Sequence, residues 1–201
     1  GIFASGANVE VANSGAIERY GYTWSAGIAA QGADSVVVDN SGDITAYTGP
    51  FVQVVGGYGY TIGYSAGGTA YGIYATGGEA GASGTNSGNI EVHGLYYGTG
   101  IAASSYYGST VTNTGGSIYV YALGGATGID AQSPFGDVTV VNASDITAVG
   151  LYYGAIGINA NSVYGDTHVA NSGDIYAASI YGAATGVYAL GEGSSVDNSG
   201  S

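Results

Sequence analysis

The chain has no cysteine, no lysine and a single arginine, Arg19, in 201 residues. Without cysteine there is no disulfide, no thiol nucleophile and no cysteine metal site. A cysteine-free, lysine-poor, acidic chain is compatible with export, though the absence assigns no compartment. With a single Arg and no Lys, neutralising a nucleic acid backbone is nearly excluded, and an anionic membrane surface is disfavoured. No apolar run approaches the roughly 20 residues of a membrane helix. Histidine is limited to His93 and His168, which fall at different places in the repeat. A histidine metal site is therefore not expected. No Gly-x-Ser-x-Gly elbow stands in a strand-to-helix context, so a serine hydrolase is not expected either.

What the chain has in abundance is glycine, 40 residues, and tyrosine, 20 residues. Only 7% of residues are charged, although the formal net charge is -13. Its surface is dominated by Ser, Thr, Asn, Gly and Tyr. Collagen and disorder are poor fits, because there is no strict Gly-x-y triplet and aliphatic residues recur in register.

That recurrence is the main signal. The phrase Asn-Ser-Gly-x-Ile begins at Asn13, Asn40, Asn86, Asn113 (degenerate), Asn142 (degenerate), Asn171 and Asn198, where the chain stops inside the phrase. The steps are 27, 46, 27, 29, 29 and 27 residues. A second phrase, Gly-Ile-x-Ala, answers from each interval at Gly27, Gly72, Gly100, Gly128, Gly157 and, with Val187 for Ile, Gly186. A fixed period of this size marks a stack of units, each too small to bury a core alone. Within one period lie three short alternating segments, for example Val169–Asn171, Asp174–Ala177 and Gly186–Ala189. Alternation marks half-buried strands, and the Gly, Ser and Thr content opposes helices. The reading is all-β: a right-handed parallel β-helix with three short strands per coil and about seven coils, forming one domain over 1–201. The chain begins at Gly1, shows no signal peptide and ends within a repeat, so the expectation is a piece of a longer array.

Stacked coils predict columns of like side chains. One is Ile17, Ile44, Ile90, Ile118, Ile146 and Ile175. Another is Ile28, Ile73, Ile101, Ile129, Ile158 and Val187, with Ala30, Ala75, Ala103, Ala131, Ala160 and Ala189 two residues on. A third is Val11, Val38, Val111, Val140, Val169 and Val196, interrupted by Gly84. The column Asn13, Asn40, Asn86, Asn113, Asn142, Asn171 and Asn198 reads as a structural amide ladder before it reads as a ligand site, because each amide both donates and accepts. The Gly after it is expected to take positive φ in a tight bend. The 46-residue step carries an inserted loop or hairpin at 47–64, with Pro50 and the run Val54–Tyr60. Insertions of this kind often carry binding, and the competing reading is a tolerated decoration.

Gly-Ile-x-Ala alternating with Asn-Ser-Gly-x-Ile resembles the passenger domains of bacterial autotransporters and related large secreted adhesins. The clearest copies are Asn40–Ile44, Asn171–Ile175 and Gly157–Ala160. The resemblance spans Val9 to Gly200. It implies a right-handed β-helix at the bacterial cell surface, usually carried by an outer-membrane barrel that this sequence does not include. It does not choose between adhesins, proteases and filament-like proteins.

Candidate binding residues are aromatic. Tyr107, Phe135 and Tyr164 share one repeat position on three consecutive coils. Tyr96 and Tyr97 recur as Tyr152 and Tyr153 two coils later, with Tyr181 on the next coil and Trp24 on the same side of an early one. Such rings offer a flat apolar face and a polar tip to sugars or proteins, or else they clamp loops and shield the coil. Acidic pairs at equal positions, Asp145 with Asp174 and Asp137 with Asp166, read first as turn residues. Stacked at strand spacing they would repel, raising a pKa or recruiting a cation such as weakly held Ca²⁺. A glycan-processing enzyme would use such a pair, but Arg19 lies several coils away. The expected function is a non-enzymatic, extracellular, structural and adhesive segment without a cofactor. Its partners would be a host or neighbouring-cell surface, glycans or copies of itself. The alternatives are a subunit of an extracellular filament or matrix and, behind it, the glycan enzyme.

Overall fold

The computed structural model describes residues 1–49 and 68–201. All regular structure in them is β-strand, and every strand pairing is parallel. The first turn is β1 (Ile2–Asn13) and β2 (Ile17–Gly21), and the second is β3 (Trp24–Asn40) and β4 (Ile44–Thr48). The third has β5 (Thr69–Thr76), β6 (Gly81–Asn86) and β7 (Ile90–Gly94), and the fourth β8 (Tyr97–Ser104), β9 (Ser109–Asn113) and β10 (Ile118–Ala122). The fifth has β11 (Gly125–Ser133), β12 (Val138–Asn142) and β13 (Ile146–Gly150), and the sixth β14 (Gly154–Ser162), β15 (Thr167–Asn171) and β16 (Ile175–Ser179). Strands β17 (Ala184–Leu190) and β18 (Ser194–Asn198) begin a seventh. The described residues thus make six complete turns and two-thirds of another.

The turns stack into three faces. The first is β17-β14-β11-β8-β5-β3, the second β3-β6-β9-β12-β15-β18 and the third β16-β13-β10-β7-β4-β2. Strand β3 belongs to two faces because it runs through their shared corner: Trp24–Gln31 pairs with β5 and Ser35–Asn40 with β6. Strand β1 turns the same corner, with its register shift between Gly6 and Asn8. This architecture is a parallel β-solenoid.

The expected columns are the observed registers. Ile44, Ile90, Ile118 and Ile146 are direct partners on the third face. Ile28, Ile73, Ile101, Ile129 and Ile158 are partners on the first and are fully buried. Val38, Gly84, Val111, Val140 and Val169 line the second. Each buried aliphatic side chain contributes about 1.5–3 kcal/mol relative to exposure.

One expectation about glycine is corrected. The Gly of Asn-Ser-Gly does not take positive φ. Positive φ is found at Gly81, Gly108, Gly116 and Gly154, and of these only Gly116 belongs to an Asn phrase, the degenerate one, at φ 69. What Gly42 and Gly88 provide is closeness: a Cβ at either would collide with the glycine carbonyl one turn earlier. Ser144 fills the equivalent place in the repeat of Asn142, where the phrase one turn earlier is a residue longer and carries Gly115 and Gly116. The Gly of Gly-Ile-x-Ala has a separate cause. A Cβ at Gly27, Gly72, Gly100, Gly128 or Gly157 would strike the Cγ2 of Ile44, Ile90, Ile118, Ile146 or Ile175 across the same turn. The two repeated phrases therefore fit together across the interior: one omits a side chain where the other inserts a methyl group.

The expected insertion at 47–64 begins too early. Tyr47 and Thr48 are the last residues of β4, and Tyr47 pairs with Tyr20 and His93. The rest of that segment from Pro50 onward lies outside the described residues. No helix of the described residues is long and apolar enough to cross a membrane.

Candidate functional site

The Asn column is built into the frame. Each side-chain amide donates to the carbonyl oxygen of the next Asn: Asn13 to Asn40 at 2.7 Å, Asn40 to Asn86, Asn86 to Asn113 and Asn113 to Asn142 at 2.8 Å, Asn142 to Asn171 at 2.6 Å and Asn171 to Asn198 at 2.7 Å. In six of these Asn residues the same amide also donates to the backbone carbonyl two residues on, as Asn40 does to Gly42. Asn40, Asn86 and Asn113 are fully buried. With their hydrogen-bonding groups engaged along the stack, these residues hold its corner.

The acidic turn residues also serve the frame. Asp145 accepts the backbone N–H of Asp174 at 3.1 Å, and Asp174 accepts that of Ser201 at 3.0 Å. Asp137 accepts the N–H of Asp166, which in turn accepts that of Gly193, both at 2.9 Å. Each carboxylate is aimed at the next turn's amide and not at its sister. The expected upward pKa shift is reversed at Asp174: the Ser201 N–H, then the Ser201 hydroxyl, hold it below the ordinary carboxylate value. Among the described residues no three His, Cys, Asp or Glu side chains converge as a metal site. The two histidines are separate, His93 beside Glu91 at 2.7 Å and His168 beside Ser195 at 2.8 Å.

Much of what remains outside the frame is aromatic. Tyr107, Phe135 and Tyr164 form the expected ridge at the corner between the first and second faces, all three more than half exposed. Phe135 and Tyr164 stack at 5.6 Å with planes 6° apart, and Tyr107 meets Phe135 at 5.9 Å and 34°. Tyr152 and Tyr181 stack in the same way at 5.3 Å and 6°. Stacking along the rod axis covers ring faces with neighbouring rings. It turns edges and hydroxyls to solvent.

A second cluster stands at the corner between the third and first faces. Tyr153 reaches back over the fifth turn to Tyr96 at 5.7 Å and Tyr97 at 5.9 Å. The fifth turn has Gly124 and Gly125 there. A Cβ at Gly124 would strike the Tyr96 carbonyl and crowd the Tyr153 ring, and one at Gly125 would crowd Tyr97. An open cleft of about 270 Å³ adjoins Tyr97 and Tyr153, over Gly125 and Gly154. Trp24 holds the register position of Tyr97 two turns earlier, through Thr69, and is 44% exposed.

A third column was not among the expected residues. Tyr20, Tyr47, His93 and Tyr121 are register partners on the outside of the third face. Tyr20 stacks on Tyr47 at 5.0 Å, Tyr47 on His93 at 4.7 Å, and His93 meets Tyr121 at 6.3 Å. Glu18 and Glu91 flank it, Glu18 accepting the Tyr20 hydroxyl at 2.7 Å. That bond pushes the Tyr20 phenol above its ordinary value, and burial does the same for Tyr47. Counting three residues on from each column Ile finds this set in the sequence. Assigning Tyr47 to the insertion hid it.

No protein-family model, curated protein or solved structure matches the chain. What the fold defines is the class, a parallel β-solenoid whose described residues carry stacked aromatic side chains on its outer surface.

Proposed function

We propose that the chain is a structural and adhesive segment of an autotransporter-like bacterial surface protein, working by display. A stiff coil carries aromatic columns on its corners and offers them to glycans or to proteins of a neighbouring surface. The observation that carries this reading is the division of labour among side chains. Most of the column Ile, Val and Ala residues and the central ladder Asn are buried in the coil, and Asp137, Asp145, Asp166 and Asp174 bond the next turn, whereas many of the tyrosines are held in register and left exposed. Contact would be made by ring edges and hydroxyls, on the ridges and at the cleft beside Tyr97 and Tyr153.

The test is binding of the whole chain to a glycan array and to intact cells. Two variants are compared with it: Tyr107→Ser/Phe135→Ser/Tyr164→Ser, and Tyr97→Ser/Tyr153→Ser. The expected result is loss of binding in at least one variant with the circular dichroism of the coil unchanged. Binding at the original level in both would remove these columns from the function.

A second reading, a subunit of an extracellular filament or matrix, is favoured by the same ridges on a chain with 7% charged residues. The net charge of -13 repels sister copies, so contacts of this kind should strengthen as salt screens it. Sedimentation over a concentration series separates the two readings: a monomer throughout supports display alone.

A further inference from the structure

Beyond display, we infer that Tyr96 and Tyr153 are a site of oxidative cross-linking, joined by a one-electron oxidant into a dityrosine that ties the fourth turn to the sixth. Their hydroxyl oxygens are 3.3 Å apart and their ring centroids 5.7 Å apart, with planes 40° from parallel. Coupling joins the ring carbons next to the two hydroxyls. In the product the two oxygens sit side by side across the new bond, and this pair already holds that arrangement. Both rings are open to a reagent, Tyr96 at 40% and Tyr153 at 60% exposure. Neither is packed into the core, so closing the remaining gap costs side-chain rotation and leaves the backbone in place. The absent side chain at Gly124 is what lets rings two turns apart touch at all.

Composition supplies an independent argument. The chain has no Cys and no Met, the residues that ordinarily intercept oxidants, and one Trp. Oxidising equivalents therefore fall on Trp24 and on the 20 tyrosines, which far outnumber it. A cysteine-free chain also has no disulfide to close a long loop, and a 96–153 link would close one of 57 residues.

The step balances. Each phenol loses one electron and one proton to give a phenoxyl radical. The two radicals form one C–C bond between the carbons ortho to oxygen, and each of those carbons passes its hydrogen to its own oxygen as the ring regains aromaticity. The net change is loss of two hydrogen atoms. A peroxidase with one hydrogen peroxide takes them up and yields two waters.

The experiment treats the whole chain, dilute, with a haem peroxidase and hydrogen peroxide. Products are read by dityrosine fluorescence and by peptide mass after cleavage at acidic residues, because Arg19 is the only tryptic site. The expected product is a monomer two hydrogens lighter, with the Tyr96 and Tyr153 peptides joined. Tyr96→Phe and Tyr153→Phe should each lose that peptide pair, whereas Tyr97→Phe and Tyr152→Phe should keep it. Phe preserves ring packing, and circular dichroism confirms the coil in each variant. The proposal is overturned by a link that maps to Tyr97–Tyr153 or Tyr152–Tyr181, by links only between molecules, or by no dityrosine. Loss of binding in the display test leaves this result untouched, so the two readings fail separately.

Discussion

Val140 in the middle of the stack and Val196 on its last turn occupy one column, yet Val140 is fully buried and Val196 is 46% exposed. Ile129 and Val187 differ in the same way, the first fully buried and the second only partly buried. The residue types hardly change between the two regions. What changes is the turn on either side. Burial in this molecule is supplied by neighbours along the axis, so the same letter in the same phrase is worth different amounts at different heights. A solenoid of this kind has no single centre, and its stability is a sum of contacts between adjacent turns.

The comparison breaks hardest at the aliphatic columns. Ile118→Ala removes a fully buried side chain with partners above and below, and should cost about 2–5 kcal/mol. Val196→Ala should stay within about 0.5 kcal/mol. Urea midpoints together with hydrogen exchange resolved by strand would check both. A comparable loss in the two variants would refute the neighbour account. Glycine gives the next contrast. A methyl at Gly100 meets Ile118 Cγ2 and the Gly128 carbonyl, whereas nothing lies within 4 Å of one at Gly186. Gly100→Ala should therefore destabilise by about 1–3 kcal/mol, and Gly186→Ala should be close to neutral, as thermal melts would show. Third comes the ladder. Asn113→Ala leaves the Asn86 amide without its acceptor and the Asn142 carbonyl without its donor, both buried, for a loss of about 1–3 kcal/mol. Asn198→Ala, at the exposed end, should cost well under half of that. Equal exchange rates for amides flanking the two sites would count against a continuous ladder.

Most of this frame was legible because a repeat turns sequence distance into spatial contact. The Ile, Ala, Val and Asn columns are read by aligning phrases, and the alignment is the register. Tyr107, Phe135 and Tyr164 were found by the same arithmetic. The Tyr20–Tyr47–His93 column was missed because the long step after Asn40 made Tyr47 look like part of an insertion, when its place three residues beyond Ile44 fixes it on the strand. The role of Gly in Gly-Ile-x-Ala was not legible either. It depends on which side chain faces it across the interior, and no period along the chain reports that. The direction of ring stacking was hidden for a similar reason. A column of tyrosines in text is the same whether its faces point outward to a sugar or along the axis to one another.

The smallest effect is electrostatic, and it sharpens the comparison at the last turn. The Asp174 carboxylate is held below its ordinary pKa, first by the Ser201 N–H and then by the Ser201 hydroxyl. A depressed carboxylate stabilises the fold above its unfolded pKa, and that contribution is lost as pH falls through the folded one. Acidification below the ordinary carboxylate range should therefore release the Ser201 amide before it disturbs the buried Asn40–Asn86–Asn113 segment, whose groups do not titrate. Amide exchange at Ser201 against pH gives the midpoint. Asp174→Asn should abolish the pH step and leave the amide only weakly protected throughout. A step that persists in Asp174→Asn would place the titrating group elsewhere and detach this corner from its carboxylate. Because the group is fully exposed, the step is expected in the local exchange rate and not in the global melting temperature.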